Sequence, residues 1–470
     1  MFLTTDKHTL RDDLLLIAAL VILSYLAVYE LPNILRAIVF LGIVVAFIFS
    51  RNSTAPWVIY FFFILSSPAT LFYAEESWFL LLTPTVGVDY SFIISIGFLL
   101  KAYLNNYRIS YRFIDERNIF FLYILVLVVT GILWGGSSIA NIFLTLKILP
   151  NVLMILFLPV ITDLERDELR MKKIIYVLIT VLFIIQSYEI IIGRSIFDSV
   201  NNFFQRGEGS LQRNISGTYL AFFALILTLS EILTIKTKTK TKTSRGSVII
   251  FIFSVLLIVN TGARGWMVAV AAVISASLLS VIKRRKIFIG IASIAFIVLI
   301  ILFLPEKYTN NIYRSFDRLS TVSLILEGDI SAGGTATRLT ERGPRVMQKF
   351  KESPVFGFGF SDITRSFYDG HVGNQSILLQ SGLVGFFVLY MIIFRILRHF
   401  FRNSLFLSEE NPYRTRLFIF MIGFIGIIII HFTSQEMYSY AIRGDKAILL
   451  AFWLTYILFY NHKAIGFECK

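Results

Sequence analysis

An all-α polytopic membrane protein, with twelve to fourteen transmembrane helices and one long extracytoplasmic loop, is the fold class this sequence predicts. Three observations predict it. Of 470 residues, 56% are hydrophobic and the mean hydropathy is +0.74, far above what a soluble globular chain carries. Apolar runs of membrane-spanning length recur along the chain. One extended hydrophilic stretch, 305–375, interrupts them late in the sequence.

The first run, 14–30, follows Met-Phe-Leu-Thr-Thr-Asp-Lys-His and has no small-residue cleavage site behind it. It therefore reads as a retained span and not as a removable signal peptide. Runs at 34–50, 56–73, 87–104, 119–136 and 139–162 come next, the first of these short. Those at 173–192, 215–235, 247–262, 265–282 and 287–304 complete a first block, 1–304, of about eleven helices joined by short loops. Residues 305–375 form the large loop. A C-terminal block, 376–470, holds 376–397, 417–434 and a marginal run at 446–461.

Orientation follows from Lys and Arg in the short loops. They collect at Lys101/Arg108/Arg112/Arg117, Arg170/Lys172/Lys173, Lys236–Lys242 with Arg245, Lys283–Lys286, and Arg395/Arg398/Arg402/Arg414/Arg416. Fourteen spans put all of these, and both termini, on one side, which the positive-inside rule assigns to the cytoplasm. The net charge of +14 is thus largely a topology signal, and binding of nucleic acid is not expected. The Lys-Thr repeat reads as a solvated loop near anionic membrane lipid. The single cysteine, Cys469, excludes a disulfide framework and a Cys-based zinc site.

Ionisable residues at membrane depth or at the outer rim are the candidate functional groups. Arg264 sits in the tight turn Asn260-Thr-Gly-Ala-Arg-Gly-Trp266. Its guanidinium could fork onto two phosphate oxygens or snorkel beside Trp266. Arg206 and Arg213 lie on the outer segment before the 215–235 run, and Arg213 precedes Ser216-Gly-Thr218 at a helix start, a favourable place for an anion. Lys147 falls inside the 139–162 run and faces either a polar cavity or a carboxylate such as Glu189 or Asp89. His431 and Glu436 mark the outer end of the 417–434 run, as additions to an outer site or as loop-solvated groups.

The large loop has nine Lys/Arg against eight Asp/Glu, so bulk charge cannot hold an anion there and individual arginines must. It ends in Pro354-Val-Phe-Gly-Phe-Gly-Phe360, which lacks the Gly-Lys-Ser/Thr of a phosphate loop and reads as a tight turn with interfacial or cleft-lining aromatics. His371 follows, either a general base or a solvated loop histidine. No His/Asp/Glu cluster has metal-ligand spacing, no His-Glu-x-x-His occurs, and no nucleotide-binding glycine loop is present. An active site here would use arginines to stabilise a phosphate leaving group.

Asn260–Trp266, the long late loop, Pro354-x-x-Gly-x-Gly, the spacing from His371 to Gly382 and Gly385, and Arg213 before Ser-Gly-Thr together resemble the O-antigen polymerase and ligase superfamily. The resemblance covers roughly 200–400, and it rests on order and spacing. It implies an integral membrane glycosyltransferase of the bacterial inner (plasma) membrane, with its active site on the periplasmic or extracellular face. The implied substrate is an undecaprenyl-pyrophosphate-linked oligosaccharide, with no cofactor, no metal and a chain-length regulator protein as a partner. His371 would be the base. Arg213, Arg264 and Arg338 would hold the pyrophosphate, with Arg206, Lys147 and Glu436 as additional candidates. The family commonly has Asn, Ser or Gln after the histidine. Here that residue is Val372, which points to the polymerase branch over the ligase branch. A ligase passing glycan to lipid A–core is the alternative, and a polysaccharide flippase or other transporter is a second. No internal repeat supports the transporter.

Overall fold

The structure, a computed structural model, describes residues 22, 32–49, 96–97, 99–101, 103–104, 114–137, 164–193, 203–204, 213–214, 217–234, 245–280, 305–326, 337–369, 371–408, 411–433 and 444–468. The chain is a helical, polytopic membrane protein. Its described helices begin with α1 (Asn33–Phe49), α2 (Ile114–Leu133) and α3 (Leu164–Ile192). Then come α4 (Thr218–Thr234), α5 (Arg245–Asn260) and α6 (Arg264–Ser280). Within the large loop lie α7 (Glu306–Leu326), a π-helix at Thr337–Arg342, α8 (Gly343–Phe350) and α9 (Asp362–Phe367). The last three are α10 (Gly373–Phe406), α11 (Pro412–Thr433) and α12 (Gly444–Glu468). Two-residue strands β1 (Phe203–Phe204) and β2 (Arg213–Asn214) pair antiparallel ahead of α4.

Among the described residues, Glu168–Ile192, Gly373–Phe406 and Pro412–His431 are long and apolar enough to cross a membrane. Asn118–Leu133, Thr218–Thr234, Arg245–Asn260 and Arg264–Leu279 are shorter apolar helices. The expected spans 56–73, 139–162 and 287–304 lie outside the described residues, as do nearly all of 14–30 and most of 87–104. Apolar segments become helices because a helix satisfies its own backbone where lipid offers no partner. Several helices outrun their apolar run. The 34 residues of α10 span about 51 Å at 1.5 Å per residue, well beyond a ~30 Å hydrocarbon core.

Helix α11 packs against α4, α6, α10 and α12, while α5 lies along α4 and α3. Lipid gives apolar helices little drive to associate, so close fit must hold them together. Small residues on α11 supply it: a Cβ on Gly423 would lie 2.4 Å from Trp453 Cζ2, and one on Gly426 would lie 2.8 Å from Val273 Cγ2. Around them Phe222, Phe223, Phe420, Trp453, Tyr456 and Tyr460 form an aromatic core, with Phe420 and Tyr456 stacked at 5.3 Å. Trp453 Nε1 donates to the Phe420 carbonyl at 2.8 Å, leaving no orphaned indole donor.

Polar contacts then define two ends of the bundle. At one end the start of α3 meets the finish of α4, the starts of α5 and α11, and the finish of α12. Glu231 accepts from Tyr176 at 2.9 Å and from Ser247 at 2.6 Å, and pairs with Lys172. Glu168 accepts from Tyr460 at 2.8 Å and faces Arg416 at 3.4 Å. Asn403 of α10 donates to Asn461 of α12 at 2.9 Å, so the finish of α10 is here too. The opposite end therefore carries the α5–α6 turn and the starts of α4, α6 and α10.

Candidate active site at one end of the bundle

The segment Pro354–Phe360 is built into the bundle, which a tight interfacial turn would not be. It lies between α2 and α10 and is bonded to both. The Phe358 and Gly359 N–H groups donate to the Leu379 and Gln380 carbonyls at 3.0 and 2.7 Å. The Phe360 N–H donates to the Leu127 carbonyl at 2.9 Å. In return, the Leu383 and Val384 N–H groups donate to the Pro354 and Val355 carbonyls at 2.9 and 3.1 Å. These last bonds serve groups released where α10 kinks at Gly382, whose φ of 64° and ψ of −173° are not helical. Gly359, at φ 59°, comes so close to α2 that an added Cβ would lie 2.1 Å from the Leu127 oxygen. Ser137, just past α2, accepts the Asp362 N–H at 2.9 Å, and Ser361 caps α9. Trp134 stacks on Phe356 at 5.7 Å.

His371 stands where this framework meets the start of α10. Its side chain is exposed, while its backbone N–H donates to Asp369 Oδ1 at 2.8 Å. The Ser376 hydroxyl accepts from the Asp369 N–H at 3.3 Å and donates to the Asp369 carbonyl at 3.1 Å, closing the turn. Val372 is buried with Val346, Phe350, Phe358 and Leu379 in a small core of its own. This explains its departure from a polar residue: here the position after the histidine is a hydrophobic anchor joining α8 to α10. Asn374 is also held, its Oδ1 accepting from Tyr390 at 2.6 Å.

Two arginines that sequence reasoning passed over flank this turn. Arg342 Nη1 lies 3.7 Å from Asp369 Oδ1, and Arg345 Nη2 lies 3.7 Å from Asp369 Oδ2. The sequence shows them only among the loop's near-balanced charges, which gives no reason to single them out. Arg338 is in the same π-helix, one turn earlier by its backbone.

Arg264 opens α6, partly buried, at the same end of the bundle as His371. Trp266, two residues on, packs edge-on against Tyr219 of α4 at 4.8 Å and Phe222 at 5.6 Å. That contact sets the start of α6 beside the start of α4. The backbone of Arg213 lies in β2 opposite Phe204, a few residues before Gly217 and α4. The start of α7 is fastened alongside, with Asn260 Nδ2 donating to Tyr308 at 2.6 Å and Lys307 Nζ to the Ile191 carbonyl at 3.1 Å. Burial pushes the Tyr308 phenol up, which keeps it protonated beside Asn260. His431 is fully buried, so the loop-solvated reading does not hold for it, and Glu189 is buried as well. Arg206, Lys147, Asp89 and Glu436 lie outside the described residues.

One comparison bears on what this end of the bundle is for: residues 249–390 match the protein-family model described as O-antigen ligase. This stretch is similar to the O-antigen ligase family and makes up under half of the chain. The match agrees with the superfamily resemblance in the sequence, over a narrower stretch than 200–400. No curated protein matches the chain. The matched stretch runs from α5 past the kink of α10 and contains Arg264, Arg338 and His371; Arg213 lies before it. The α2 surface that receives Pro354–Phe360 also lies before it, so the matched domain is completed by an earlier helix.

Proposed function

We propose that this protein is a polysaccharide polymerase, of O-antigen or capsule type, working on undecaprenyl-pyrophosphate-linked oligosaccharides. The growing glycan moves from its lipid pyrophosphate to the non-reducing end of a lipid-linked repeat unit. The acceptor hydroxyl oxygen bonds to the anomeric carbon as the carbon–oxygen bond to pyrophosphate breaks. His371 takes the hydroxyl proton, and the lipid pyrophosphate leaves with the bonding electron pair. Arg264, with Arg213 and Arg338, neutralises the developing charge. The donor is already activated by its lipid, so the reaction needs neither a metal nor a nucleotide sugar. A chain-length regulator protein is the expected partner, and the periplasmic or extracellular face of the inner membrane the expected place.

The observation that carries this reading is an exposed His371 fixed in a closed turn, at the same bundle end as Arg264 and inside the matched domain. His371→Ala or Arg264→Ala is expected to abolish long-chain glycan in cells while the protein inserts at normal levels. Full chain lengths from either variant would remove its assigned role. The description of the matched family supports a second reading, a ligase that passes finished glycan to lipid A–core. The lipid products separate the two. Deleting a polymerase leaves single repeat units, and deleting a ligase leaves polymer on the undecaprenyl carrier.

A further inference from the structure

Arg342 and Arg345 approach one carboxylate from two sides. Each guanidinium nitrogen is 3.7 Å from a different oxygen of Asp369, too far for a direct hydrogen bond. The arginine side chains are 39% and 51% exposed, whereas the carboxylate is 11% exposed. The group therefore has two positive charges, one negative charge and an open side, and its ion pairs are loose. Two guanidinium groups spanning a single bidentate anion match a phosphate better than a carboxylate, because phosphate has more oxygens and more charge to share. Lys349, on the same helix as Arg345, is already paired with Glu352.

We propose that Arg342 and Arg345 form an anion fork of the phosphate or pyrophosphate class, which Asp369 fills in the resting protein and an incoming anion empties. The assignment of lipid-linked pyrophosphate as that anion rests on the polymerase reading; the fork itself does not. The same Asp369 Oδ1 accepts the His371 N–H, so occupancy of the fork is communicated to the histidine turn. Asp369 is a positioning residue in this arrangement.

The test is binding of inorganic pyrophosphate to the purified full chain in nanodiscs. Asp369→Asn removes the competing charge and keeps an oxygen for the His371 N–H. It is expected to bind pyrophosphate about 5- to 10-fold more tightly, and a misfolded protein would not gain affinity. The double variant Arg342→Gln/Arg345→Gln is expected to bind about 10-fold or more weakly. Equal or weaker binding by Asp369→Asn, or unchanged binding by the double variant, overturns the fork. Competition by undecaprenyl pyrophosphate assigns the fork to the lipid donor. Competition by phosphatidylglycerol alone overturns that assignment. Variants that follow this affinity order, beside a wild-type protein that transfers no glycan, would contradict the polymerase reading and leave the fork standing.

Discussion

Val372 shows how one residue can be read correctly as unusual while its reason stays out of sight. In sequence it is a polar position gone apolar beside the candidate base. In the structure it fills a core with Val346, Phe350, Phe358 and Leu379, contributed by α8, the inserted loop and α10. Val372→Asn would place an amide there without a partner, costing about 1–3 kcal/mol. We predict a lower thermal midpoint in detergent and less glycan, with the type of lipid product unchanged. Appearance of lipid A–core-linked product would show instead that this side chain selects the branch. Arg342 and Arg345 were illegible for a different reason. Summing charge over 305–375 gives near-neutrality, whereas chemistry depends on which charges the fold gathers around Asp369. For His431 the sequence leaves an outer-site and a loop-solvated reading open, because its burial depends on helices remote in sequence.

Among the described residues, the apolar helices were largely legible. The runs 34–50, 215–235, 247–262 and 265–282 correspond to α1, α4, α5 and α6 within a few residues, since lipid makes hydropathy the dominant signal. Polar extensions were less so: the 446–461 run belongs to a helix reaching from Gly444 to Glu468. The insertion of Pro354–Phe360 between α2 and α10 was not legible. Its glycines announce a turn, yet Gly359 is there to let two backbones touch, and the partner carbonyl on Leu127 is over two hundred residues away. Gly359→Ala should cost about 2–4 kcal/mol from overpacking and a positive φ, and glycan synthesis should fall with it. Unfolding midpoints measured in detergent check this; an unchanged midpoint would mean the segment is not a structural joint.

The far end of α12 supports a prediction about pH. The hydrogen bond from Lys463 holds the Glu165 carboxyl below the usual range, and Glu165 in turn raises the Lys463 ammonium. The Ser408 backbone N–H, followed by Asn411, lowers Glu468. Depressed carboxyl values mean a tether complete above the unfolded carboxylate pKa of about 4.3 and lost as pH falls through the lower folded values. Amide exchange over 461–468 should therefore accelerate in acid, well below neutrality, while exchange in the middle of α11 stays slow. Uniform acceleration of both would point to global unfolding and not to release of this tether.

At the scale of the whole molecule, the two ends of the bundle differ in chemistry. One end is a network of Glu168, Lys172, Glu231 and Arg416 with Ser247 and tyrosines, which ties five helix ends together. The other gathers the starts of α4, α6 and α10, and with them Arg264 and His371. The stretch similar to the O-antigen ligase family spans the second and is braced by α2 from outside its own segment. On the proposed function, Arg264 and His371 would meet a lipid-borne substrate at this end of the bundle.

The most direct test gives the purified protein in nanodiscs one synthetic undecaprenyl-pyrophosphate repeat unit, with chelator present and no nucleotide sugar. The expected result is a ladder of longer lipid-linked glycans from the wild type and none from His371→Ala. Absence of a ladder from active wild-type protein, with transfer seen only when lipid A–core is supplied, would contradict the polymerase reading.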